Sequence, residues 1–357
     1  MTVSPPAPAP AVDHLGGLAA RSRAAVLDRT EKRLDAMLDA EHTRWAAVDA
    51  RAAVPVDAIG ELIRAGGKRL RPAFCAAGFL AAGGELSDSR VVDAAAAIEM
   101  LHAFALIHDD VIDDSDRRRG KPTVHVEHIE RHRAHGWQGE ARRYGEGIAV
   151  LAGDLAFSYA GQLIQELPAE ARLVWGRLVS EMIIGQHLDV TVAAESLPDP
   201  KLARYIANAK SGHYSIHRPL ELGAAIAGDT TSAAAFEAYG TALGEAFQLR
   251  DDLIDTYGDA DAVGKPVGLD AQQHKMTLLV SLAALRDPRV GELVRADHWD
   301  GAALAEALTS SGVRAEVERR IDELVVQAHE ALSAAPISEE WKRELAVMAT
   351  SVAYRDH

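Results

Sequence analysis

MLHAFALIHDDVIDDSDRRRG, residues 100–120, runs from an apolar stretch into a group of aspartates and then into three consecutive arginines. Further along, LGEAFQLRDDLID at 243–255 repeats the design: an apolar approach, two aspartates, two aliphatics and a last aspartate. A spacing of four places Asp109 beside Asp113, and Asp251 beside Asp255, one turn apart on one face of a helix. The aliphatic pairs Val111-Ile112 and Leu253-Ile254 want burial. Each stretch therefore reads as a buried helix that presents carboxylates at one end.

The rest of the chain supports an all-α fold class. About half of the 357 residues are apolar (48%) and only 5% are aromatic. Ala, Leu and Val must therefore supply most of the core, and Ala and Leu favour helices. Apolar residues recur at helical spacing from Leu34 through Trp45 and again from Ile321 to Leu332. Breaks at 81–89, 196–200 and 227–232 fall between such segments, giving roughly ten to thirteen helices by this periodicity. The one alternating stretch, Thr123 to Glu127, is too short and isolated to build a sheet.

The expected organisation is a flexible Pro- and Ala-rich tail over 1–20 and one large helical bundle over 21–357 with a central cavity. With 38 Lys+Arg against 53 Asp+Glu, a formal charge of −15 would repel a phosphate backbone and argues against nucleic acid as a partner. No run of 18 or more uncharged apolar residues marks a membrane span, and the N-terminus lacks the order of a signal peptide. A lone cysteine, Cys75, excludes an internal disulfide framework and fits a reducing, cytoplasmic setting.

Two clusters of the same spacing are hard to obtain from solvated surface. Like charges one turn apart repel unless cations bridge them. Oxygen-only ligands in pairs suit Mg2+, which keeps part of its shell for water and substrate phosphate. The basic groups complement this: Gly66-Gly67-Lys68-Arg69-Leu70-Arg71 joins a pliant backbone to three cations, and Arg117-Arg118-Arg119 follows the first cluster directly. Lys210, Lys265 and Lys275 flank the second.

GGKRLRP, HAFALIHDDVIDDSDRRRGKPTVH, GDLAF, GQHLD, AKSGHY and FQLRDDLID together resemble, in their order, the motifs of the trans-prenyltransferase (polyprenyl diphosphate synthase) family. The resemblance spans roughly residues 60 to 280 and implies the all-α isoprenoid synthase fold. It implies that Asp109, Asp110, Asp113, Asp251, Asp252 and Asp255 hold Mg2+, three ions with substrate bound, on an allylic diphosphate. Lys210, Lys265 and Lys275 would help, and Arg118 would contact the same substrate. Gly67, Lys68, Arg71, His102 and Arg119 match the isopentenyl diphosphate site, and Ser211 and Gln248 the reacting end. Departing pyrophosphate would leave an allylic cation for the isopentenyl double bond to attack, the proton passing to pyrophosphate, so that no His or Glu base is required. Homodimerisation is likewise implied. Ser211 in place of Thr, and Gln272-Gln273-His274-Lys275 in place of Glu-Gly-Lys, depart from the family pattern.

In that family the residues four and five before the first aspartate line the tunnel floor. Here they are Ala105 and Phe104, which points to geranylgeranyl diphosphate as product, with farnesyl and geranylfarnesyl diphosphate as its neighbours. The 127–147 segment resembles an insertion of some actinobacterial members. Its His128, His132 and His135 have a zinc-like spacing, but neighbouring charges make a solvated loop or helix the expectation. The rival readings are a class I terpene cyclase, which needs no isopentenyl site, and a non-catalytic subunit of a heteromeric synthase, which need not keep its metal ligands.

Overall fold

A computed structural model describes residues 17–258, 269–296 and 299–355. Helix α1 (Leu18–Ala46) begins the described chain, so residues 18–20, expected in the tail, are helical. It is followed by α2 (Val54–Arg64), α3 (Leu70–Ala81) and α4 (Arg90–Ile112). A two-residue hairpin pairs β1 (Arg117–Arg118) with β2 (Lys121–Pro122), the only sheet among the described residues. Next come α5 (Val124–His135), α6 (Ala141–Leu163), α7 (Ala169–Glu195) and α8 (Pro200–Ile206). A π-helical segment, Ala207–His217, then leads into α9 (Arg218–Ala227) and α10 (Ala233–Tyr257). The chain closes with α11 (Leu269–Gln272), α12 (Leu278–Arg286), α13 (Pro288–Leu293), α14 (Gly301–Ser310), α15 (Val313–Ala334) and α16 (Glu339–Ala353). The alternating stretch at 123–127 opens helix α5, which packs on α6 and buries His125, His128 and His132.

Helices α4 and α10 are the two central elements. Ala94 to Ile98 of α4 are wholly buried, and α1, α3, α6 and α9 surround the helix. A helix apolar on all sides is stable only when enclosed. By length and composition α4 would also cross a membrane, but its apolar surface is taken up by these neighbours. Helix α10 is enclosed by the π segment, α15 and α16. Boundaries follow local chemistry: Asp199, before Pro200, caps α8 by accepting from Lys201 N (2.9 Å) and Leu202 N (3.1 Å). First and last described helices are tied where Ala19 N donates to Glu340 (2.8 Å) and Arg23 pairs with the nearly buried Glu344 (2.7 Å).

Candidate active site

Both carboxylate clusters stand at the C-terminal ends of the two central helices, where the helix dipole favours cations and disfavours anions. Asp113 terminates α4, its N–H bonded to the Asp109 carbonyl (2.8 Å), so the expected pair shares a face. Asp114 does not continue that face. It turns to φ 48° and lies toward Arg142 (3.5 Å).

The clusters open into one cavity of about 550 Å³. Among its described lining residues are seven aspartates (109, 113, 189, 251, 252, 255 and 270) and six cations (Arg117, Arg118, Arg119, Lys210, Lys275 and Arg355). Arg118 donates from Nε to both oxygens of the buried Asp110 (2.8 and 2.9 Å). Gln186 Nε2 donates to Asp109 (2.9 Å), and Lys210 Nζ lies 2.7 Å from Asp189 and 3.6 Å from Asp109. Lys275 Nζ donates to Asp113 (3.0 Å) and Gln248 Nε2 to Asp252 (2.7 Å). Asp270 N donates to Asp255 (3.1 Å), while Arg355 reaches Asp251 (2.9 Å) across the Phe247 ring.

This crowding sets the electrostatics. Burial, with Asp270 and Asp251 as like-charged neighbours, pushes the Asp252 carboxyl well above the usual carboxylate range. Burial and Asp255 push Asp270 up to about 7. Burial and Asp109 also raise Asp113, despite Lys275. Burial works against the charge of Lys210 too, yet Asp109 and Asp189 outweigh it and hold the ammonium above the usual lysine range. Carboxylates held under such mutual repulsion are a donor set for a hard cation. Among the described residues no three acidic or imidazole side chains converge into a group that would hold an ion unaided. Mg2+, which binds through one or two carboxylates together with water and substrate phosphate, fits this layout.

Close backbone approach places Lys210 and Ser211. A Cβ on Gly185 of α7 would lie 2.7 Å from Lys210 N, and one on Gly212 would lie 2.9 Å from the backbone of Gly244 on α10. These notches press the π segment against both helices, which brings Lys210 and Ser211 into the cavity beside Gln248. π-Helical turns recur at functional sites.

The glycine-rich stretch divides its cations. Gly66 and Gly67 adopt φ 87° and 156°, and Arg69 φ 46°, so the chain doubles back before α3. Arg69 then turns inward to Glu31, Glu99 and the Ile63 carbonyl and serves the scaffold. Arg71 Nη1 donates to His102 Nε2 (3.2 Å) and lies over the Tyr214 ring. Burial, then Arg71 and Arg119, hold the His102 imidazole well below its usual range, so it accepts this bond as a neutral ring. Arg71 Nε and His102 Nδ1 are buried without a hydrogen-bond partner. Burial and the Arg355 charge hold Lys68 below the usual lysine range, and Arg119 clasps the Gly66 carbonyl.

The structure brings Asp109, Asp113, Asp251, Asp252 and Asp255 together with Lys210, Ser211, Gln248 and Lys275 around the cavity, with Asp110 outside its lining on Arg118. Lys265 lies outside the described residues. Phe104 packs against His108 (ring centroids 4.6 Å) and Phe157 of α6 (5.1 Å), and neither it nor Ala105, the expected floor, is among the described cavity-lining residues. Ala105 is partly buried. Among the described residues the α5 histidines do not converge into a group that could hold a metal ion, and His128 Nδ1, His132 Nε2 and His135 Nδ1 each face a different backbone carbonyl. Gln186, Asp189, Asp270, Gln273 and Arg355 are site residues that sequence reading did not assign. A polar pair three apart within the GQHLD stretch, directly after the apolar Met182-Ile183-Ile184, was a usable signal for the first two.

The sequence profile described as polyprenyl synthetase matches residues 55–308. The chain is 36% identical to a farnesyl diphosphate synthase of Geobacillus stearothermophilus over 270 residues, 68% of this chain and 82% of that enzyme. It is 37% identical to a short chain isoprenyl diphosphate synthase of Methanothermobacter thermautotrophicus over 63% of this chain, and that match spans 65% of the archaeal enzyme, just under two thirds of its length. A geranylgeranyl pyrophosphate synthase of Corynebacterium glutamicum, solved in complex with isoprenyl diphosphate and magnesium, superposes with a TM-score of 0.87 at 36% identity, covering 94% of this chain and 99% of that one.

Proposed function

Because the chain belongs to the polyprenyl synthetase family of prenyltransferases, we propose that it extends an allylic diphosphate with isopentenyl diphosphate in a Mg2+-dependent reaction. The observation that carries this reading is the pairing of two carboxylate clusters, on the ends of two central helices, around one cavity ringed by Lys and Arg. Asp109, Asp113, Asp251, Asp252 and Asp255, with Asp110 behind them, would hold the ions. Bound there, the metal would neutralise diphosphate and stabilise it as a leaving group.

The chain's own side chains do the rest. Arg118, Lys210 and Lys275 lie where an allylic diphosphate would meet the aspartates, and charge-assisted hydrogen bonds from them favour its departure. Lys68, charged neighbour of Arg355 and Asp251, and Arg71 and Arg119, charged neighbours of His102, would hold a second diphosphate, whose double bond would meet the allylic carbon. His102, held neutral, orients Arg71 and adds no charge. The released pyrophosphate serves as the base for the departing proton.

Relatives and structural neighbours bear both farnesyl and geranylgeranyl names. Phe104, braced by Phe157, favours geranylgeranyl diphosphate as the product. Exposed Val150, Leu151 and Phe157 on α6, and Leu173, Ile183, Ile184 and Val190 on α7, give a second copy of the chain an apolar surface to cover in a homodimer. The test is incubation with Mg2+, isopentenyl diphosphate and, separately, dimethylallyl, geranyl or farnesyl diphosphate, followed by product analysis. Elongated diphosphates support the reading. Ionisation of the allylic substrate with isopentenyl diphosphate untouched would replace it with a cyclase, and the absence of turnover with a partner-dependent subunit.

A further inference from the structure

The carboxylates of this site carry cations of the protein's own. Lys210 has a resting place outside both clusters, since its nearest partner is Asp189 at 2.7 Å, with Asp109 farther off at 3.6 Å. Among the described residues Lys275 has no such alternative of comparable closeness: its ammonium sits 3.0 Å from Asp113 and only then 3.9 Å from Asp270. Gln273 Nε2 donates to the Asp113 carbonyl (3.2 Å), and Lys275 N to the Asp270 carbonyl (2.8 Å). The segment is thereby strapped from the end of α4 to the end of α10, where Asp270 N meets Asp255. The lysine stem can swing while this backbone stays in place.

With seven aspartates and six cations among its described lining residues, the cavity is close to balanced before any ligand arrives. A divalent cation approaching Asp113 meets an ammonium already there. A diphosphate removes that conflict, because its oxygens offer Lys275 a better partner and supply the negative charge that the metal needs. We propose that Lys275 is an internal counter-ion of the first cluster, which holds Asp113 until a diphosphate takes the ammonium over, so that Mg2+ and diphosphate bind in a mutually dependent way. The inference rests on the metal-dependent reading above, and linkage makes the coupling reciprocal.

Titration calorimetry of Mg2+ into the purified full chain, alone and with saturating inorganic diphosphate, tests it. Wild-type protein should bind Mg2+ about tenfold or more tightly with diphosphate than without, within the usual range of coupling between sites. Lys275→Gln should tighten binding of Mg2+ alone and narrow that gap, whereas Lys275→Arg should behave as wild type. Lys275→Met replaces the Gln variant if the latter fails to fold. Mg2+ binding by the neutral variants that is unchanged or weaker without diphosphate overturns the counter-ion role while leaving metal dependence standing. Absence of Mg2+ binding to wild type under both conditions overturns both.

Discussion

Replacing Arg69 by alanine should destabilise the fold without touching the chemistry directly. Arg69 pairs with Glu99, whose side chain is 6% exposed, with Glu31, which is 43% exposed, and with the Ile63 carbonyl at 2.7 Å. Stripping a buried pair of one partner strands the other charge and costs about 3–5 kcal/mol. The Glu31 contact is half open to water and adds about 1 kcal/mol at most. Backbone strain at φ 46° cancels, because Arg and Ala bear the same penalty there. The expected loss is therefore about 4 kcal/mol, nearly all of it from Glu99. Urea unfolding followed by circular dichroism, at one protein concentration for all variants, measures it. The double variant Arg69→Met with Glu99→Met should recover most of the loss, since neither charge is then stranded. Lys68→Ala, on the exposed side of the same stretch, should change stability by less than about 0.5 kcal/mol. A loss below about 1 kcal/mol for Arg69→Ala would refute the assignment of this arginine to the scaffold.

Asp252→Asn should lower kcat by at least about 100-fold, the scale of losing one charge-stabilising group in a site, while stability holds or rises because a crowded buried carboxylate is gone; activity within tenfold of wild type would refute its role. Burial, then Arg218 and His213, hold the His217 imidazole at about 3, below its usual value near 6.5. The folded protein thus binds fewer protons there than the unfolded chain, so this stability is fully present above about pH 6.5 and is lost as pH falls toward 3. Wild type should lose more stability than His217→Leu between pH 7 and pH 5, and equal losses would contradict the sign. Phe104→Ala should shift products to longer chains in the elongation assay, and an unchanged distribution would dismiss Phe104 as the floor.

Spacing alone exposed the two aspartate clusters, because a helix turns short-range repeats into shared faces. It also foretold the boundary loops, where Asp, Gly and Pro offer backbone groups an alternative to helical pairing. What stayed hidden depended on contacts between distant segments. Arg69 and Arg71 are indistinguishable by type, and only Glu31 and Glu99, brought alongside by α1 and α4, turn one of them inward. Asp270 and Arg355 become site residues because strap and terminus fold over the cavity. Asp114 looked like a fourth member of its cluster until the helix ended one residue before Asp113. The α5 histidines share a spacing suited to a metal, yet one nitrogen of each turns to a different backbone carbonyl and the rings do not converge.

The π segment at Ala207–His217 gives the chain a place where length and orientation are traded. Each π turn stores an extra residue relative to an α turn. A one-residue deletion there can relax into α-helix while the flanking helices keep their phase, but it changes which side chains of the segment face the cavity. Lys210 and Ser211 sit within this stretch, between the contacts at Gly185 and Gly244. Indels in these eleven residues should thus act as a dial on which side chains face the reacting carbons, whereas the same indels in α4 or α10 would tear the bundle.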